Sequence, residues 1–150
     1  MRILLVFTFL ASGIAAFSQS QFTTSQDPQI YFVYNAKGSL AGELNYLYGK
    51  YFMDEHCALC EITHGTFSAK PEWKAWEATL TCAHVVLHID EAEALGLDLS
   101  SFTLPVVLLH RGSGLEELVS ASEMTEAGKE VADFIRLFEK KAEQFGVSCN

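Results

Sequence analysis

The sequence predicts a single α/β domain, with a mixed sheet of about four strands and helices on its faces. The chain has 150 residues and is 49% hydrophobic, which suits one domain with a sizeable core. Short β-branched and aromatic segments alternate with segments of helical periodicity. The last two strand-like segments are separated only by a Gly-containing turn, which indicates an antiparallel hairpin.

The N-terminus is typical of a secretory signal peptide, which we expect to cover residues 1–18. Arg2 precedes an apolar run that ends in small residues, and Ala16 and Ser18 fit a cleavage site after Ser18. The run is shorter than the ~20 residues of a spanning helix, so we expect no stable membrane span after cleavage. An uncleaved anchor is the alternative. The mature protein is therefore expected to be exported.

After a flexible, polar lead-in over residues 19–29, the domain is expected to cover residues 30–150. Its first segment, IYFVYN, is rich in β-branched and aromatic residues and predicts a buried strand. Apolar residues at steps of three and four predict a helix over residues 39–52. A second helix is expected to begin at Pro71, with Trp73 and Trp76 in the core.

The second half of the chain alternates strands with helix start signals. Three segments are predicted strands: residues 84–89, 104–110 and 115–121. Asp90 is the expected N-cap of a short helix between the first two. Ser120 and Glu123 match a capping box, and apolar residues from Val131 to Phe138 predict the last helix. The early strands, which are separated by helices, are expected to make parallel crossovers.

This order of elements resembles the thioredoxin fold, over residues 30–143. Thr103-Leu104-Pro105 stands just before a buried strand, where thioredoxin-like proteins carry a cis-proline that faces the active site. The resemblance thus implies a cis Leu104–Pro105 bond and places Pro105 at the site. Thioredoxin-like enzymes carry Cys-x-x-Cys directly after the first strand. Here that position, residues 35–42, holds no cysteine, and the pair comes a predicted helix later.

The chain also resembles a group of small bacterial proteins that share a VYNA strand, a C-x-L-C-x-x-T-x-G segment and a Trp-containing helix. The matching residues are Val33 to Ala36, Cys57, Leu59, Cys60, Thr63, Gly65 and Trp73. No established activity transfers with this resemblance. It implies a bacterial setting, in which an exported protein is periplasmic or secreted.

Export changes the expected state of the four cysteines, because thiols outside the cytosol tend to form disulfides. Four cysteines allow three full pairings, and the sequence alone does not choose among them. The simplest pairing joins Cys57 to Cys60 and Cys82 to Cys149.

The segment HCALCEITHG, residues 56–65, carries the chemistry. The first hypothesis is thiol–disulfide exchange or redox sensing, in which Cys57 attacks and Cys60 resolves the mixed disulfide. His56 or His64 would favour the thiolate, whereas nearby acidic residues would oppose it. If Ala58 begins a new helix, Cys57 lies at its N-cap, where the helix favours a thiolate. This hypothesis needs no cofactor and would make the protein a thiol–disulfide oxidoreductase.

The alternative is a non-catalytic metal-binding or interaction module that uses the same segment. A zinc or copper site could draw its ligands from the four residues His56, Cys57, Cys60 and His64. The spacing is atypical, since zinc fingers take their second ligand pair from much farther along the chain. Cys82 with His84 is a further local pair. A purely structural disulfide is the third interpretation, and covalent haem is excluded because Glu61 follows Cys60 where C-x-x-C-H needs histidine.

Charge limits the partners. The formal net charge is −9, so phosphate backbones would be repelled and nucleic-acid binding is not expected. Under the exchange hypothesis, the partner is another protein's thiols or disulfides.

Overall fold

A mixed sheet of four strands organises the computed structural model, which describes residues 29–37, 57–65, 68–112 and 114–149. The strands are β1 (Gln29–Val33), β2 (Ala83–Leu87), β3 (Val106–Arg111) and β4 (Gly114–Val119). Their spatial order is β2-β1-β3-β4. The predicted signal peptide, the lead-in up to residue 28, the helix predicted over residues 39–52 and His56 lie outside the described residues.

Strand directions match a thioredoxin-like arrangement, which confirms the predicted fold class. β1 and β2 are parallel, with Gln29 opposite Ala83. β3 is antiparallel to both β1 and β4. The predicted parallel crossover therefore holds for β1 and β2 but is wrong for β3. The chain leaves β2 at the carboxyl edge of the parallel pair, and β3 begins at that same edge and runs back.

Five helices are described, and their bounds are α1 (Ala58–Thr63), α2 (Pro71–Glu77), α3 (Ile89–Ala94), α4 (Ala121–Ala127) and α5 (Val131–Gln144). Pro71 occupies the start of α2, as predicted, where its missing N–H has no helical acceptor to lose. No helix within the described residues is long and apolar enough to cross a membrane.

Two helix starts differ from the sequence prediction. The N-cap of α3 is His88 rather than Asp90, because the Glu91 carboxylate accepts the His88 backbone N–H at 2.7 Å. The predicted last helix is two helices. The capping box of Ser120 and Glu123 starts α4, as predicted. The helix ends at Ala127, because its C-cap Gly128 has a φ of 90° that interrupts the helix before α5.

The main core lies between one face of the sheet and helices α1, α2, α4 and α5. Trp73 and Trp76 are 2% and 8% exposed, so both belong to this core, as predicted. They pack edge-on against Phe32 of β1. A smaller cluster on the other sheet face includes Ala92 of α3. Helices therefore cover both faces of the sheet, and α1 packs on the larger core.

Candidate functional site

A disulfide between Cys57 and Cys60 forms the start of α1, with their Cα atoms 5.2 Å apart. Ala58 is the first residue of the helix and Cys57 is its N-cap. The backbone N–H of Cys60 donates to Sγ of Cys57 over 3.3 Å. The cysteine side chain thus takes the role that a serine or aspartate oxygen usually has at a helix N-terminus. This pairing confirms the simplest of the pairings that the sequence allowed.

A buried hydroxyl ties α1 to the end of β1. Oγ1 of Thr63 is hydrogen-bonded to the Tyr34 hydroxyl at 2.9 Å, to Nδ1 of His64 at 2.8 Å and to the Leu59 carbonyl at 2.8 Å. A carbonyl only accepts, so the single hydroxyl proton of Thr63 goes to Leu59. Tyr34 and His64 must therefore donate to Thr63. It follows that Nδ1 of His64 carries a proton and that Nε2 is the basic nitrogen of the neutral ring.

The surroundings of His64 favour this neutral ring. Burial lowers the pKa of His64 below its ordinary value of 6.5, and the positive charges of His88 and Lys74 lower it further. His64 is also the C-cap of α1, with its backbone N–H bonded to the carbonyl of Cys60. The imidazole therefore lies one turn after Cys60 and is uncharged at neutral pH.

His88 lies on the other side of Tyr34. The Tyr34 ring centroid is 5.4 Å from that of His88 and 5.7 Å from that of His64. Nδ1 of His88 is 2.8 Å from a carboxylate oxygen of Glu91. Hydrogen bonds from the backbone and the ring of His88 hold the pKa of Glu91 below its ordinary value. Two imidazoles thus flank one phenol where the parallel strands β1 and β2 end.

Pro105 is at the same edge of the sheet. The Leu104–Pro105 peptide bond is cis, which confirms the prediction from the thioredoxin resemblance. Val106, which follows Pro105, pairs with Val33 at the carboxyl end of β1. Pro105 is buried there.

Three of the predicted site residues, Cys57, Cys60 and His64, lie together at α1. Pro105 lies at the edge of the sheet where β1 ends, directly before the residue that pairs with Val33. His56, the fifth, lies outside the described residues. The sequence analysis gave no role to Tyr34 or Thr63. It set His88 aside as a metal ligand, because His84 on the same predicted strand is too far from it to share an ion. The signal that could have identified Tyr34 and His88 is that each directly follows a parallel strand, since the carboxyl ends of such strands lie at one edge.

The part of the chain that the structure describes does not contain a set of ligands for the metal site of the alternative hypothesis. No group of three or more His, Cys, Asp or Glu side chains is arranged there to hold an ion. The sulfurs of Cys57 and Cys60 are bonded to each other, and Cys82 is bonded to Cys149, so none of them is a thiolate ligand in this state. His84 instead has Nδ1 at 2.9 Å from the carbonyl of Cys82.

Comparisons with protein-family models, with curated proteins and with solved structures gave no match to this chain.

Proposed function

We propose that this chain is an exported thiol–disulfide exchange protein, with Cys57 and Cys60 as its reactive pair. The observation that carries the proposal is the position of this disulfide at the N-terminus of α1, with Cys60 only partly buried. A cysteine pair three positions apart closes a small ring, and opening it requires no rearrangement of distant parts of the chain. Export itself is supported by the signal-peptide pattern of residues 1–18.

Local electrostatics support opening of this disulfide. When the bond breaks, one sulfur must leave as a thiolate. Sγ of Cys57 already accepts the Cys60 N–H, and it lies at a helix end whose first N–H groups have no helical acceptor. These donors stabilise a negative charge on Cys57. The protein therefore offers a good leaving group for the first step of exchange.

The acidic residue next to the pair is partly neutralised. The Glu61 carboxylate lies 2.8 Å from Nζ of Lys129, and the two side chains are 35% and 67% exposed. An exposed ion pair of this kind contributes little to stability. It does place a positive charge beside Glu61, which offsets the repulsion between that carboxylate and a thiolate in α1.

The exchange follows from these parts. A thiolate of the partner attacks one sulfur of the disulfide, the S–S bond breaks and its electron pair leaves with the other sulfur. A second thiolate of the partner then attacks the partner's own sulfur in the mixed disulfide, and the cysteine of this chain leaves as a thiolate. The partner's two thiols become one disulfide, and Cys57 and Cys60 become two thiols after taking up two protons. In reverse, the reduced pair reduces a partner's disulfide.

The test uses the mature chain in glutathione buffers of increasing reducing strength, followed by acid quenching, alkylation and mass mapping. We expect the Cys57–Cys60 bond to open before the Cys82–Cys149 bond. The reduced protein should also speed insulin reduction by dithiothreitol, and Cys57→Ser should abolish that rate. The matched control, Cys82→Ser with Cys149→Ser, should keep it. An insulin rate at background for the folded wild type would rule out exchange.

A further inference from the structure

Helix α1 presents two different faces. Its buried face consists of Ala58, Leu59, Ile62 and Thr63, which are at most 4% exposed. The opposite face consists of Cys60, Glu61 and His64, which are partly exposed. Cys60 and His64 are four positions apart and so lie on the same side of the helix.

The two cysteines of the disulfide differ in the same way. Cys57 is 6% exposed and belongs to the buried core cluster together with Tyr34 and Ala36. Cys60 packs against the edge of this cluster and is only partly buried. An attacking thiolate must approach one sulfur in line with the S–S bond, so access determines which sulfur it reaches.

The backbone stabilises a negative charge on Cys57, which is the less exposed of the two cysteines. The Cys60 N–H donates to Sγ of Cys57, so a negative charge on Cys57 receives a backbone hydrogen bond at the start of α1. The more exposed cysteine is therefore the one that a partner thiolate can reach, and the less exposed cysteine is the one whose sulfur can leave as a stabilised thiolate. Both properties assign the same roles.

We propose that Cys60 is the sulfur that forms the mixed disulfide with a partner thiol, and that Cys57 is the leaving and resolving sulfur. The partner thiolate bonds to Sγ of Cys60, the Cys57–Cys60 bond breaks, and its electron pair stays on Sγ of Cys57. In the return step, the Cys57 thiolate attacks Cys60 and expels the partner thiolate. These roles are the reverse of those expected from the sequence, and the inference rests on the proposed exchange function.

The test compares two single-thiol variants, Cys57→Ser and Cys60→Ser, which both retain the Cys82–Cys149 disulfide. Each is mixed with oxidised glutathione and acid-quenched, and the glutathionylated fraction is followed by intact mass. The rates are divided by the thiolate fraction, taken from the pH dependence of alkylation. We expect Cys60 in Cys57→Ser to react at least about tenfold faster than Cys57 in Cys60→Ser, which corresponds to about 1.4 kcal/mol in the barrier.

A measurement on the wild type tests the same assignment without a substitution that could disturb folding. The reduced protein is treated with limiting iodoacetamide at several pH values and mapped by peptide mass. We expect Cys60 to be labelled faster than Cys57 once each rate is divided by the thiolate fraction of that cysteine, taken from the same pH series. Equal rates, or faster reaction at Cys57, would overturn the assignment while leaving exchange itself intact. If neither thiol reacts faster than the same variant unfolded in urea, the proposed function fails as well.

Discussion

Removal of the Cys82–Cys149 disulfide is expected to destabilise the protein more than removal of the Cys57–Cys60 disulfide. The first bond joins residues 67 positions apart, whereas the second joins residues 3 apart. In the chain-entropy description, a cross-link restricts the unfolded chain more as the closed loop lengthens. The expected losses are about 4 kcal/mol for the long loop and about 2 kcal/mol for the short one.

The contacts of Cys149 give no reason to expect that breaking the Cys82–Cys149 bond would stabilise the folded state. Cys149 is 5% exposed, and its carbonyl accepts the Thr81 N–H at 2.9 Å, so the tail already lies against the start of β2. The bond therefore acts on a tail that is held in place in the folded state. Its main effect is on the unfolded chain.

Urea unfolding of two double variants measures the difference. The first is Cys82→Ala with Cys149→Ala, and the second is Cys57→Ala with Cys60→Ala. At a urea dependence of about 2 kcal/mol/M, the first should lower the midpoint by roughly 2 M and the second by roughly 1 M. The first should also raise the urea dependence, because its unfolded chain exposes more surface. Equal losses of stability in the two variants, with the same urea dependence, would refute this reasoning.

The hydrogen-bonded residues beside α1 give two further predictions. Because the folded pKa of His64 lies below 6.5, the unfolded chain binds a proton first as pH falls, so stability should drop through 6.5 towards that lower pKa. His64→Asn should flatten this drop in urea midpoints measured between pH 5 and pH 8, and an unchanged slope would contradict it. Thr63→Val removes the oxygen that accepts from both Tyr34 and His64, and should cost about 1–3 kcal/mol. Tyr34→Phe removes only one of those bonds, so it should lower the free energy of unfolding by about 1 kcal/mol, less than Thr63→Val does in the same assay. Equal losses for the two variants would assign no role to the shared oxygen.

Local patterns were enough to predict most of the described elements. Three of the strands are short segments rich in apolar residues, and β4 alternates apolar with acidic residues before a capping box. These patterns predicted the ends of the four strands to within about two residues. Pro71 and the capping box of Ser120 and Glu123 marked helix starts, because these preferences depend only on neighbours in the chain. The spacing of Cys57 and Cys60 made their pairing the simplest one, with Cys82 left for Cys149, but the sequence alone did not exclude the other two pairings.

The misplaced helix boundaries show where local patterns compete. His88 and Asp90 can both cap α3, and the contact of Glu91 with the His88 backbone favours His88. Gly128 stands between two segments that are both helical, and its positive φ separates them. Propensity alone does not determine whether a single glycine ends a helix or lies within it.

The candidate site was predicted only in part, because its other half depends on distant contacts. Tyr34 and Thr63 are 29 positions apart. Both lie in segments that carry the resemblance to small bacterial proteins, but those segments do not indicate that the two side chains touch. The position of His88 beside Tyr34 follows from the parallel pairing of β1 with β2, which brings the ends of both strands to one edge. Such contacts become visible only once the sheet order is known.

The long interval between Cys82 and Cys149 also orders events during the proposed export. A chain that crosses a membrane N-terminus first brings Cys82 into the oxidising compartment before Cys149, which lies 67 positions behind it. Until Cys149 arrives, Cys82 has no native partner, and Cys57 and Cys60 have already crossed. Early closure of the short ring would keep those two sulfurs from capturing Cys82. Cys82 would then stay available for Cys149, which follows α5. A delay in closing the Cys57–Cys60 ring would favour incorrect disulfide pairings.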